Sequence, residues 1–179
     1  MKPSAHLPTA GRAGLPDQSN CNKIVSPIGG TFPREEDSMP VKQISVSLEN
    51  VPGKLSEVSD YLGENGINII ALSVADTADV SAIRFVANDP EKATNVLRSH
   101  GYSIKMTEVL AVEAPNHPGG LNAVLKPLKE ISINVNYLYT CLGTGEKTVL
   151  IMGVDKMEEA IQVLEKNWVH MFNEELYKL

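Results

Sequence analysis

The chain has 179 residues, a formal net charge of -6, 42% hydrophobic and 21% charged residues. That length admits one medium domain or two small ones, and an acidic balance without a basic stripe excludes nucleic acid as a main partner. Its two cysteines, Cys21 and Cys141, form neither a disulfide framework nor a Cys-x-x-Cys motif, no apolar run is long enough to span a bilayer, and no apolar stretch follows Lys2 as a secretory leader would require. The expectation is a cytoplasmic protein with reduced thiols and no membrane partner.

Residues 1–40 carry Pro3, Pro8, Pro16, Pro27, Pro33 and Pro40 with glycines between them and show no helical or strand period. They read as a disordered extension, dispensable for folding, with Met39 standing where the patterned chain begins. From Val41 the pattern is regular. Ile44, Val46 and Leu48 alternate with Ser45 and Ser47 as in a strand. Asn50-Val51-Pro52-Gly53 breaks it as a turn, Leu55, Val58 and Leu62 follow on one helical face, and Gly66 ends that helix. A strand over 67–75 places Ile67, Ile69 and Ala71 on one face and Ile70, Leu72 and Val74 on the other. A turn over 76–79, a strand over 81–86, a helix opened by Asp89-Pro90 and closed by Gly101, and a strand starting at Tyr102 complete the order βαββαβ.

The order then recurs. A strand over 109–113 leads to Asn116-His117-Pro118-Gly119, the counterpart of Asn50-Val51-Pro52-Gly53. Leu121, Val124 and Leu128 match Leu55, Val58 and Leu62, and Ile133-Asn134-Val135 matches Ile67-Asn68-Ile69. A strand over 148–154, a helix over 157–167 and a last strand within 170–179 follow. Such a duplication predicts two units, 41–108 and 109–179, each an antiparallel ferredoxin-like βαββαβ sheet of the α+β class with its helices on one face. Unbroken alternation from Tyr102 to Val112, apart from Glu108, predicts one long strand shared by both. Because the strand over 67–75 is apolar on both faces, its second face needs a cover, from the sister unit or from a second copy of the chain.

A strand, Asn-x-Pro-Gly-x-Leu, a helix, then Gly-Ile-Asn at the next strand resembles the ACT domain, and the chain is similar to small stand-alone proteins made of two such domains. The resemblance covers 41 to about 176. It implies a non-catalytic regulatory module that senses an amino acid where two ACT units meet, a homodimer, and an enzyme of amino-acid metabolism as the partner controlled. It also implies ligand contacts at Asn50, Pro52, Gly53, Leu55 and Asn68, and at Asn116, His117, Pro118, Gly119, Leu121 and Asn134. The chemistry agrees: a helix start offers N–H groups and a partial positive charge to a carboxylate, glycine admits close approach, and asparagine offers donor and acceptor to a zwitterion. Each feature also has a purely structural reading, in which the loops are turns, the leucines are core and the asparagines begin strands. The sequence departs from the repeat at Ser132, which replaces Gly66, at Pro127 inside the third helix, which should kink or shorten it, and at Ser81, where many ACT domains have glycine.

Gly143-Thr144-Gly145-Glu146-Lys147 lacks the strand-loop-helix setting of a phosphate loop and reads as a hairpin turn. His6, His100 and His170 make no metal set, and Cys141, on one strand face with Tyr137 and Tyr139, has no base beside it. No cofactor and no catalytic constellation is expected. The competing expectation is a ligand-free interaction subunit that regulates an enzyme in trans.

Overall fold

Apolar alternation puts Val41–Glu49 into β1, and the Pro-Gly turn hands the chain to α1, Lys54–Glu64. Then come β2 (Ile69–Asp76), β3 (Val80–Ala87), α2 (Pro90–Ser99), β4 (Ile104–Ala114), α3 (Asn122–Glu130), β5 (Val135–Thr140), β6 (Thr148–Val154), α4 (Met157–Lys166), β7 (Met171–Phe172) and a short 3₁₀ helix, Glu174–Lys178. This computed structural model describes residues 40–76, 80–142 and 148–178. They all fall within the compact unit Arg34–Leu179. The expected disordered extension (save Pro40), Cys21, the centre of the turn over 76–79 and the loop over 143–147 lie outside the described residues.

All strands join one antiparallel sheet in the order β2-β3-β1-β4-β6-β5, with β7 also on β4. The expected long shared strand is β4. Its residues 104–109 pair with β1, and its residues 110–114 pair with β6. β1 occupies one edge of β4 as far as Val109, so β7 finds room only beside Ala111 and Val112. That limits the last strand to two residues; the chain then turns, burying Leu176, and the Tyr177 hydroxyl accepts from the Lys42 N–H of β1 at 2.8 Å. The sheet curls until its ends meet, where Ala71 bridges Cys141 and the Leu142 N–H donates to the Ile70 carbonyl at 2.7 Å.

Three apolar clusters follow from this curl. In the first half α1 and α2 cover Ile44, Val46, Leu48, Ile83 and Phe85. In the second half α3 and α4 cover Leu110, Val112, Leu150 and Met152. Between the two inner faces lies a third cluster, with Val41, Ile70, Val86 and Val109 meeting Tyr139, Val149, Ile151 and Leu176. The second face of β2 is therefore covered by the sister half, within one chain. Each fully buried Val, Ile, Leu or Phe contributes about 1.5–3 kcal/mol by leaving water.

Two expectations are corrected. The face assignment of β2 fails because a bulge lies between Ile69 and Ala71: Ile70 and Ala71 both enter the central cluster, Ile69 and Leu72 face the helices, and Val74 is exposed. β5 carries the matching irregularity between Val135 and Tyr137. Leu55 and Leu121 are not core: each is 42% exposed, because the inward faces of their helices begin one turn later, at Val58 and Val124.

The four described α-helices end alike. The residue after the cap is left-handed, and its successor's N–H reaches back to the last turn: Ile67 to Leu62, Tyr102 to Leu97, Ile133 to Leu128 and Val169 to Leu164, at 2.9–3.1 Å. In the first half that residue is Gly66 or Gly101; in the second it is Ser132 (φ 57°) or Trp168 (φ 61°). A side chain in this region costs about 1–2 kcal/mol, partly offset by glycine's greater freedom when unfolded. Ser132→Gly is expected to stabilise by about 0.5–1 kcal/mol, read as a higher denaturant midpoint with an unchanged slope; a lower midpoint would show that Ser132 is held by more than its backbone. Pro127 is buried and accepted within α3, which has nine residues against eleven in α1.

Candidate functional site

The first loop leaves β1 at Glu49. The Val51 N–H returns to the Glu49 carbonyl at 2.9 Å, and Gly53 then takes φ +93° as the N-cap of α1. Its carbonyl accepts from Glu57 N–H at 2.9 Å, yet among the described residues no side chain caps the helix. Among the described residues the first turn receives only a long bond, from Lys54 N–H to Val51 at 3.4 Å. The start of α1 thus keeps N–H groups and the positive end of the helix dipole open to solvent. By contrast α2 is capped by Asp89, whose carboxylate accepts from Lys92 N–H at 2.9 Å. Beside the α1 start, Lys54 meets Glu57 at 2.8 Å, and this ammonium holds the Glu57 carboxyl below its ordinary range.

The second loop satisfies itself. N–H groups of Gly120, Asn122, Ala123 and Val124 donate to the carbonyls of His117, Gly119, Gly120 and Leu121 at 2.8–3.1 Å. Gly119 repeats the left-handed turn with φ +82°. His117 is exposed and its Nδ1 lies 3.1 Å from the Pro118 carbonyl. Neither Gly53 nor Gly119 has any atom within 4 Å of where a Cβ would stand, so their glycine identity answers to backbone angle.

The structure gathers Asn50, Pro52, Gly53 and Leu55 at one end of the first half, and Asn116, His117, Pro118, Gly119 and Leu121 at one end of the second. It does not bring Asn68 to the first group. β1 and β2 both run antiparallel to β3, Glu49 and Asp76 pair near Val80 and Ser81, and Ile69 pairs with Ala87 at the other end. Asn68 and Asn88 clamp each other there, through Asn68 N–H to Asn88 Oδ1 at 3.0 Å and Asn88 N–H to the Asn68 carbonyl at 3.1 Å. Asn134 and Asp155 repeat the clamp, at 3.0 and 3.2 Å, at the end of the second half away from its loop. Since β4 opposes β1, the strand-start asparagine of each half faces the sheet end from which the other half's loop leaves.

Sequence reasoning passed over Trp168. It is 74% exposed, left-handed where the first half has Gly101, and borders a cleft of about 430 Å³ with Glu113, Ala123, Asn167 and His170, beside the second loop. The signal was there in the repeat: tryptophan at the glycine position of a helix end. A groove of about 420 Å³ lies along α1 in the first half, between Leu55, Ser59, Ile69 and Leu72. Cys141 is buried, which pushes its thiol up to about 11 and keeps it protonated. No described helix is long and apolar enough to cross a membrane.

Residues 39–179 match the family model described as an ACT domain pair. A crystal structure of a protein from Bacteroides thetaiotaomicron is 32% identical with a TM-score of 0.75, over 80% of this chain and 99% of that one. The regulatory subunits of aspartate kinase from Thermus thermophilus, in ligand-free form, and from Thermus flavus are 14% and 15% identical, with TM-scores of 0.55 and 0.52. They cover 74% and 73% of this chain and 95% and 94% of their own, and at that identity share the fold. Comparison with curated proteins returns no match. Two βαββαβ units sharing a strand, each with a left-handed glycine after proline in the loop before its first helix, make the chain a member of the ACT domain pair family.

Proposed function

We propose that the chain is a non-catalytic, cytoplasmic regulatory protein that binds an amino acid and thereby modulates an enzyme of amino-acid metabolism. The observation that carries this reading is the uncapped start of α1 behind Gly53, which offers free N–H groups to a carboxylate. Asn50, Pro52 and Leu55 border that start. The second loop spends its own N–H groups on its turns, so the first is the stronger binder, and Asn116, His117, Pro118, Gly119 and Leu121 make the weaker, second loop site. Asn68 and Asn134 enter only where the units of two chains meet. That the fold is shared with regulatory subunits of aspartate kinase supports control of an enzyme in trans.

A thermal-shift screen of the full chain against the common amino acids tests the reading. A ligand at a hundred times its Kd adds about 2.7 kcal/mol to stability. A flat screen at millimolar concentration would favour the second reading, a ligand-free interaction subunit, which the exposure of Val51, Leu55, Val74 and Trp168 supports. The apolar groove beside Leu55 likewise supports a homodimer; light scattering that gives a monomer mass at high micromolar concentration overturns it.

A further inference from the structure

We propose that the inner face of the first half's sheet holds a second small-molecule site, for a dicarboxylate held between Arg84 and Lys105. Strand register sets these cations in one row: Ser73 pairs with Arg84, Arg84 with Ser45, and Ser45 with Lys105. Arg84 and Lys105 are therefore two strand spacings apart, about 10 Å at the backbone, with a hydroxyl between them. They line a cleft of about 210 Å³ together with Gln43, Ser45, Thr107 and Tyr137. That volume is below the roughly 300–1,000 Å³ of drug-sized sites, so it selects a small molecule.

Among the described residues nothing anionic lines this cleft, although the chain's net charge is -6. Among the described residues no carboxylate forms an ion pair with Arg84 or Lys105. Arg84 lies over the Tyr137 ring, 4.7 Å from its centroid, which fixes one face of the guanidinium and leaves its fork of N–H donors suited to a carboxylate. Tyr137 is itself held. Its hydroxyl accepts from Gln43 Nε2 at 3.0 Å, and its ring lies across Gly153, where a Cβ would come within 2.3 Å of it.

The fold does not demand these polar residues. The loop motifs align the halves at an offset of 66, which sets Val109 and Ala111 against Gln43 and Ser45, and Ala111 pairs with Ile151 as Ser45 pairs with Arg84. All three counterparts are apolar and buried in the central cluster. One half closes this region with hydrocarbon; the other opens it and lines it with cations and hydroxyls. An arginine and a lysine lining one small cleft repel, and a bridging dianion removes that repulsion.

Isothermal titration of the full chain with succinate, at fixed ionic strength and with propionate and inorganic phosphate alongside, tests the site. Succinate is expected to bind at least tenfold more tightly than propionate. Arg84→Ile, which installs the counterpart residue, is expected to keep the fold and lose at least tenfold in succinate affinity; Lys105→Gln, at an exposed position, gives a second variant that does not threaten folding. Unchanged affinity in both, or phosphate binding as well as succinate, overturns the proposal. The amino acid found by thermal shift is titrated into Arg84→Ile too. Unaltered binding there supports two sites, whereas loss of both ligands places the amino acid in this cleft and overturns a second site. Failure of the amino-acid screen leaves the succinate result standing by itself.

Discussion

Gly120→Ala is expected to destabilise the chain by about 3 kcal/mol, more than either motif glycine. A Cβ at Gly120 would lie 2.1 Å from the Pro115 carbonyl oxygen, 2.9 Å from its carbon and 3.0 Å from the His117 carbonyl oxygen. All three are backbone atoms, so no side chain can swing aside. Gly120 is buried, and its N–H and carbonyl are both bonded, to His117 and Ala123 at 2.8 and 3.0 Å. Moving the loop to admit a methyl group breaks those bonds and disturbs the start of α3. Gly119→Ala adds its methyl to open space and meets only the penalty of φ +82°, about 1–2 kcal/mol. Urea unfolding of both variants checks the order; an equal or smaller loss at Gly120 would mean that the loop relaxes freely. The first half has Lys54 at this place, so its loop is closed differently and leaves more N–H groups open.

Gln43 and Tyr139 are expected to be strongly coupled. Gln43 is 1% exposed in the middle of β1. Its Nε2 donates to Tyr137 Oη at 3.0 Å and Thr107 Oγ1 at 3.1 Å, while its Oε1 accepts from the buried Tyr139 hydroxyl at 2.9 Å. Gln43→Val strands the Tyr139 hydroxyl, and Tyr139→Phe strands Oε1, each at a cost of about 1–3 kcal/mol. The double variant leaves neither partner behind, so it should lose about 0.5–3 kcal/mol less than the sum. Additive losses would show that the bonds contribute independently. Burial also pushes the Tyr139 phenol well above its ordinary value. The folded chain then holds this proton more tightly than the unfolded chain, so its contribution is present below about pH 10 and is lost as pH rises through the phenol range. Tyr139→Phe should remove that part of the alkaline decline.

Much of the framework was legible because it is local or repeated. Asn50-Val51-Pro52-Gly53 and Asn116-His117-Pro118-Gly119 mark the two helix starts, Gly66 and Gly101 mark helix ends, and an alternation interrupted only at Glu108 announces β4. The candidate loops were legible for the same reason. Their unequal chemistry was not: whether a first-turn N–H is open depends on whether a carbonyl two or three residues back folds under it, and Gly120 decides that only through its contact with Pro115. The asparagines at 68 and 134 were grouped with the loops by family pattern, but parallel travel of β1 with β2 and of β4 with β5 carries each to the end opposite its loop.

By itself the sequence determined the element order, the duplication and the shared strand, since each rests on a local pattern or on the spacing of a few residues; the left-handed angle at Gly53 and Gly119 came from the structure. Only the tertiary structure decided which faces meet. The bulge between Ile69 and Ala71 reverses part of β2, the curl brings Cys141 to Ala71, and Leu55 ends at the surface. Likewise it alone aligned Ser73, Arg84, Ser45 and Lys105 in one row and set Tyr137 over Arg84. Strand register is a relation between distant segments: a slip of one residue sends every side chain to the other face, and no single segment's pattern records which slip the whole sheet has chosen.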